Sequence, residues 1–148
     1  MILLLRVLER IHGHLAWLSV AALAHPAILL RDPRRRARLS VALAAALTAA
    51  TAGAGVLIYP DYRVRLKQRL FQEAPGYGWA FERKEHLVVG VVAFALIGCV
   101  AHLASPTFDS PETRLRVARL AHQAFAIAFA LSLIAAAIGL AVASFTSF

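Results

Sequence analysis

The sequence predicts an all-α integral membrane protein, a four-helix bundle with an interfacial helix between the second and third spans. Sixty per cent of the 148 residues are hydrophobic, which is too apolar for an ordinary soluble domain. Four stretches are long and uncharged enough to cross a membrane, at about residues 10–30, 39–59, 84–104 and 117–144. Only helices satisfy the backbone inside lipid at that length. We therefore expect residues 1–148 to form a single transmembrane domain.

The first span carries three of the six histidines. His14 and His25 are eleven residues apart, which on an ideal helix returns them to within about 20° of each other. They share one face and are separated by about 16 Å along the axis, whereas His12 points elsewhere. Pro26 follows His25 and can kink the helix, although proline is tolerated in membrane helices.

Basic residues indicate how the chain is oriented. The connection after the first span, residues 31–38, contains five arginines and one aspartate. Such a dense, short basic loop favours the cytoplasmic side, which places both termini outside, and we expect a bacterial inner-membrane protein. The net charge of +8 lies at span ends and in loops, where it meets anionic lipid. No basic stripe lies on a soluble face, so we expect no nucleic-acid partner.

Small residues recur at four-residue spacing in two spans. Ala45, Ala49 and Gly53 lie in the second span, which has no histidine and no charge, and a similar row occupies the fourth span at Ala135, Gly139 and Ala143. Such rows let a neighbouring backbone approach closely. We assign the second span a packing role.

The second connection is predicted to contain the interfacial helix. Tyr59–Pro60 ends the second span, and Asp61 is placed to cap a short helix in which Tyr62, Leu66 and Leu70 form one apolar line. Two interpretations stay open. The helix simply closes the bundle, or its arginines, Arg63 and Arg65 among them, bind carboxylates of a cofactor or substrate. Residues 74–79 then predict a turn before the third span.

Histidine depth suggests a cofactor. Because successive spans alternate in direction, the histidines fall into two layers, which are His12, His14 and His86 on one side and His25, His102 and His122 on the other. Haem b takes two axial imidazoles from facing helices, so we predict haem b between two of the second layer, with His14 and His86 as a second site. Lys84, with the two arginines named above, is predicted to pair with haem propionates or quinone. A copper or zinc ion could use His25, His102 and His122 instead, although no short H-x-x-H or C-x-x-C spacing is present.

On the placement of His25, His102 and His122, the chain resembles the small four-helix membrane b-type cytochromes and the CopD-like membrane proteins. The resemblance is one of architecture, and it implies electron transfer between haem and a quinone or a redox protein. Two alternatives of other classes stay open. One is a non-catalytic structural or assembly subunit of a larger membrane complex, or of a homo-oligomer, and the other is copper or other metal transport. No nucleophile motif or phosphate-binding glycine loop indicates a catalytic residue.

Overall fold

A computed structural model describes the backbone of residues 2–146 and the side chains of residues 7–144; Met1, Ser147 and Phe148 of the predicted domain lie outside it. The helices are α1 (Ile2–Leu29), α2 (Arg38–Asp61), α3 (Gln68–Glu73), α4 (Pro75–Ala104) and α5 (Pro111–Thr146), with a π-helical segment at Tyr62–Lys67 and a 3-10 turn at Ser105–Thr107. No strand occurs in the described range, which confirms the all-α prediction.

The four long helices occupy the corners of a square. Both α1 and α4 pack against α2 and α5, so α1 and α4 stand at opposite corners. Contacts between α1 and α2 show that the two helices are antiparallel, because Ser19 Oγ lies 3.1 Å from Thr48 Oγ1 and His25 Nδ1 lies 2.8 Å from Ser40 Oγ. We call the end with residues 30–37 and 105–110 the arginine end, and the opposite one, with residues 62–74, the α3 end.

The helices α4 and α5 share the most extensive contact in the bundle. They approach closely because side chains of α5 pack over glycines of α4. A Cβ atom built at Gly98 would lie 2.8 Å from the ring of Phe125, and one at Gly90 would lie 3.0 Å from Leu131. Phe125 is fully buried among alanines from all four corners of the bundle. Small residues that admit a neighbouring side chain or backbone are the usual means of helix packing in membranes.

Three stretches of the described chain are long and apolar enough to cross a membrane, namely Arg38–Glu73, Pro75–Thr107 and Pro111–Ser144. They contain the second, third and fourth predicted spans. The first helix, whose described part carries Glu9, Arg10 and three histidines, is not among them. Crossing by α1 stays a prediction.

The region after the second span differs from expectation in its backbone. Pro60 does not end α2, and Asp61 makes no capping bond but lies 3.4 Å from Arg65. The π-helical segment carries the helix on, because its wider turn absorbs an extra residue. The predicted apolar line is present, and Leu70 packs with Phe81 of α4 and Val142 of α5. This packing favours the interpretation in which the segment closes the bundle.

The predicted turn at residues 74–79 is wrong. Ala74 alone leaves the helical conformation, and α4 begins at Pro75, where a proline needs no hydrogen-bonded N–H. Gly78 lies under the ring of Phe71, with only 2.9 Å available to a Cβ atom. A glycine that signals a turn in the sequence therefore serves a close helix contact.

Candidate functional site

Three of the predicted haem ligands lie on the outer surface of the bundle. His14, His25 and His86 are exposed, and each forms a hydrogen bond through Nδ1. His14 bonds the carbonyl of Arg10 at 2.7 Å, and His86 bonds that of Glu82 at 2.9 Å. A carbonyl acceptor fixes the proton on Nδ1 and leaves the Nε2 lone pair free. Since α1 and α4 occupy opposite corners, His14 and His86 do not face each other.

The other two predicted ligands lie deeper at the arginine end. His102 of α4 is half-buried beside Arg38 of α2. His122 of α5 is also half-buried, and its Nδ1 is buried without a hydrogen-bond partner in the described part of the chain. Among residues 7–144, no group of three or more His, Cys, Asp or Glu side chains is placed to hold a metal ion. The haem prediction stays a prediction.

The histidine that enters the bundle is His12, which the sequence analysis did not select. Its Nδ1 lies 3.1 Å from the carbonyl oxygen of Thr51, and its Cε1 would lie 3.1 Å from a Cβ atom at Gly55. Thr51 also donates a hydrogen bond to the carbonyl of Leu15 at 3.1 Å. The signal for His12 in the sequence is its angular separation from His14 and His25. Once those two histidines are known to lie on the outward face, a histidine at a different angle must point sideways or inward.

Lys84 faces His12 across the same end of the bundle. Its Nζ would lie 3.1 Å from a Cβ atom at Gly139, and it is 6.0 Å from the ring centroid of Phe81. No ion pair in the described residues includes Lys84, which is unusual for a largely enclosed ammonium group.

Comparison with protein-family models, curated proteins and solved structures finds no match.

The predicted arginine ligands lie at the α3 end and point away from the interior. Arg63 is exposed and lines an open groove on the π-helical segment, and Arg65 pairs with Asp61. Lys67 is the residue of this segment that forms ion pairs with α4, since its Nζ lies 2.6 Å from Glu82 and 3.6 Å from Glu85. By its position in the sequence Lys67 lies off the apolar line of Tyr62, Leu66 and Leu70, so its pairing with α4 was not predicted.

The structure thus separates the predicted site residues into outer, inner and end positions. The outer positions are those of His14, His25 and His86. The inner positions, at the α3 end, are those of His12 and Lys84, which pack over glycines of neighbouring helices. The arginine end holds His102 and His122. His12 and Lys84 pack against Gly55 and Gly139, and the pairing of Lys84 with propionates or quinone stays a prediction. Open surface is present on the outer face of the bundle, at the arginine end and in the groove beside Arg63 at the α3 end.

Proposed function

We propose that this chain is a non-catalytic subunit of a larger membrane assembly, and that it docks a partner helix on the outer face of α2. One observation supports this most directly. Ala42, Ala46, Ala49 and Gly53 form an exposed row on α2, and no described atom outside the local backbone of α2 lies within 4 Å of a Cβ built at Gly53. We call this set the small-residue row.

Glycines elsewhere in the bundle differ from Gly53 in what packs over them. Gly90, Gly98 and Gly139 each have a side chain packed over them by a neighbouring helix. The row on α2 has the same kind of spacing, but its alanines are exposed and no described side chain packs over Gly53. The outer face of α4, by contrast, carries large aliphatic side chains, which are Val89, Leu96, Val100 and Leu103. A close-approach surface without an internal occupant is the arrangement that a second membrane helix uses.

The experiment replaces Gly53 with leucine. The added side chain has open space, so the fold should be retained while a close helix contact becomes impossible. Tagged wild-type protein, solubilised from source membranes in a mild detergent, should migrate on a native gel well above the 16.0 kDa chain in its micelle. Gly53→Leu should migrate as the free chain.

The matched control is Val89→Leu on the outer face of α4, which changes an equally exposed position that already carries a large side chain. It should leave the assembly intact. Wild-type protein that migrates as the free chain, or a Gly53→Leu variant that retains the assembly, would refute the proposal.

A second candidate, haem b binding for electron transfer, is favoured by the free Nε2 atoms of His14 and His86, whose Nδ1 atoms bond backbone carbonyls. Each of these imidazoles can serve as one axial ligand of a haem iron, because a metal-bound histidine normally donates its other ring N–H to an acceptor. His14 and His25 are about 16 Å apart along one helix, so one iron cannot take both. A haem held by an outer histidine would therefore take its second ligand from another residue layer or another protein.

A reduced-minus-oxidised absorption spectrum tests this candidate. The intact assembly and the purified chain should be compared, with alanine variants of His14, His25, His102 and His122. A bis-histidine signal that disappears in specific variants would identify the ligands. A colourless assembly after haem-replete growth would eliminate haem and leave the subunit proposal unaffected.

A further inference from the structure

A pocket of about 520 Å³ opens at the arginine end of the bundle. It lies between the connection that follows α1, the end of α4 and the beginning of α5. Its cationic lining consists of Arg34, Arg35, Arg36, Arg38 and Arg114. We call it the arginine pocket. Leu30, Leu115 and Ala118 contribute an apolar wall on the side of the bundle.

The positive charge of this pocket is largely uncompensated. Asp32 is the acidic residue of the connection, and its carboxylate accepts the backbone N–H of Arg34 at 3.0 Å and lies 4.0 Å from Arg35. No other ion pair in the described residues includes a pocket arginine. Like charges held this closely repel one another, so an anion between them would lower the free energy of the arrangement.

Local contacts hold the pocket open on its far side. Arg114 donates a hydrogen bond from Nη2 to the carbonyl of Phe108 at 2.9 Å, and Ser105 donates one to the carbonyl of Arg114 at 3.2 Å. These bonds tie the start of α5 to the connection after α4. Arginines from the connection after α1, from the start of α2 and from the start of α5 therefore line one pocket.

We infer that the arginine pocket binds the phosphate group of an anionic ligand, and that an anionic phospholipid headgroup is the source the geometry favours. Guanidinium groups match phosphate oxygens with paired hydrogen bonds. Leu30, Leu115 and Ala118 line the same pocket, so the glycerol and first acyl carbons of a lipid would have apolar partners there. Basic pockets between membrane helices recognise lipid headgroups in this way. The inference does not depend on the subunit proposal.

The test uses the full chain in uncharged detergent micelles and measures binding by native mass spectrometry and by thermal shift. Phosphatidylglycerol, phosphatidylcholine and inorganic phosphate are titrated separately. The pocket variant is the double change Arg38→Gln with Arg114→Gln. Its matched control, Arg63→Gln with Arg83→Gln, removes the same charge from exposed positions at the α3 end.

Phosphatidylglycerol should bind and stabilise the wild-type chain, whereas phosphatidylcholine should not. The pocket variant should lose about tenfold or more in phosphatidylglycerol affinity, while the control should lose about twofold or less, since only one site loses direct charge-assisted hydrogen bonds. Equal stabilisation by inorganic phosphate that depends on the same arginines would support the pocket and assign the free anion as its ligand.

Equal affinities of the two double variants for phosphatidylglycerol would overturn the inference, as would equal binding of phosphatidylcholine and phosphatidylglycerol. Circular dichroism checks that each variant is folded. Arg36→Gln provides a second variant, because Arg36 is exposed and in no ion pair of the described chain. It should lower affinity in the same direction by a smaller factor.

Discussion

Two glycines of the same bundle should respond oppositely to an added methyl group. In Gly98→Ala the new Cβ would lie 2.8 Å from the Phe125 ring, so the α4–α5 contact must open, and we expect a loss of about 1–3 kcal/mol in the free energy of unfolding. In Gly53→Ala the space is open, and the higher helix propensity of alanine should add about 0.5–1 kcal/mol.

Unfolding by increasing sodium dodecyl sulfate, followed by circular dichroism, measures both effects in the same micelles. Equal responses of the two variants would show that Phe125 relaxes freely, which the full burial of its ring does not predict.

Two lysines at the α3 end should also differ. Lys84→Met removes an enclosed ammonium group without an ion-pair partner in the described residues, and we expect about 1 kcal/mol or more of stabilisation. Lys67→Met breaks the contacts to Glu82 and Glu85 and should destabilise the protein. Oε1 of Glu85 is buried and already has no hydrogen-bond partner in the described residues. The same detergent titration separates the two. Destabilisation by Lys84→Met would instead indicate an essential contact of its ammonium group.

At the scale of residues, the sequence predicted which histidines of α1 share a helix face better than it predicted which face points outward. The separation of His12 from the face of His14 and His25 follows from helix geometry, and it holds in the structure. Which face points outward depends on where Thr51 and Gly55 of α2 lie, and no local pattern in α1 contains that information.

At the scale of elements, the segment between α2 and α4 depends on one fully buried side chain. Leu70→Ala removes the contact of α3 with Phe81 and Val142, and such truncations cost about 2–5 kcal/mol when the site does not collapse. We expect the segment to undock locally, so that trypsin cleaves faster between residues 63 and 69. Val64→Ala, at a position 67% exposed, is the control and should leave the cleavage rate unchanged.

Proline signals were reliable for one helix end and misleading for another. Pro111 begins α5, the helix position that proline favours, but Pro60 lies inside α2 and Pro75 begins α4 within a predicted turn. The difference arises from packing. The helix continues after Pro60 as the π-helical segment, and the contact of Gly78 with Phe71 stabilises the helical conformation after Pro75. Long apolar helices were therefore predictable from composition, whereas the irregular closure at the α3 end was not.

At the scale of the whole molecule, orientation is the main untested prediction. Cys99 is the native cysteine and would be replaced by serine. A single cysteine at Gly76 should react with a membrane-impermeant maleimide on intact cells, whereas one at Pro33 should react only after the cells are opened. The opposite pattern would reverse the predicted orientation. Labelling of both positions on intact cells would contradict a membrane-spanning arrangement.

The pairing of α1 with α2 bears on how the protein is made. The polar side chains of α1 find partners on α2 along its length, through His12 with Thr51, Ser19 with Thr48 and His25 with Ser40. These partners leave the ribosome only after α1 has been synthesised. We therefore expect the biosynthetic insertion machinery to retain α1 until α2 emerges and to release the two as a hairpin, with their hydrogen bonds already formed when they reach lipid.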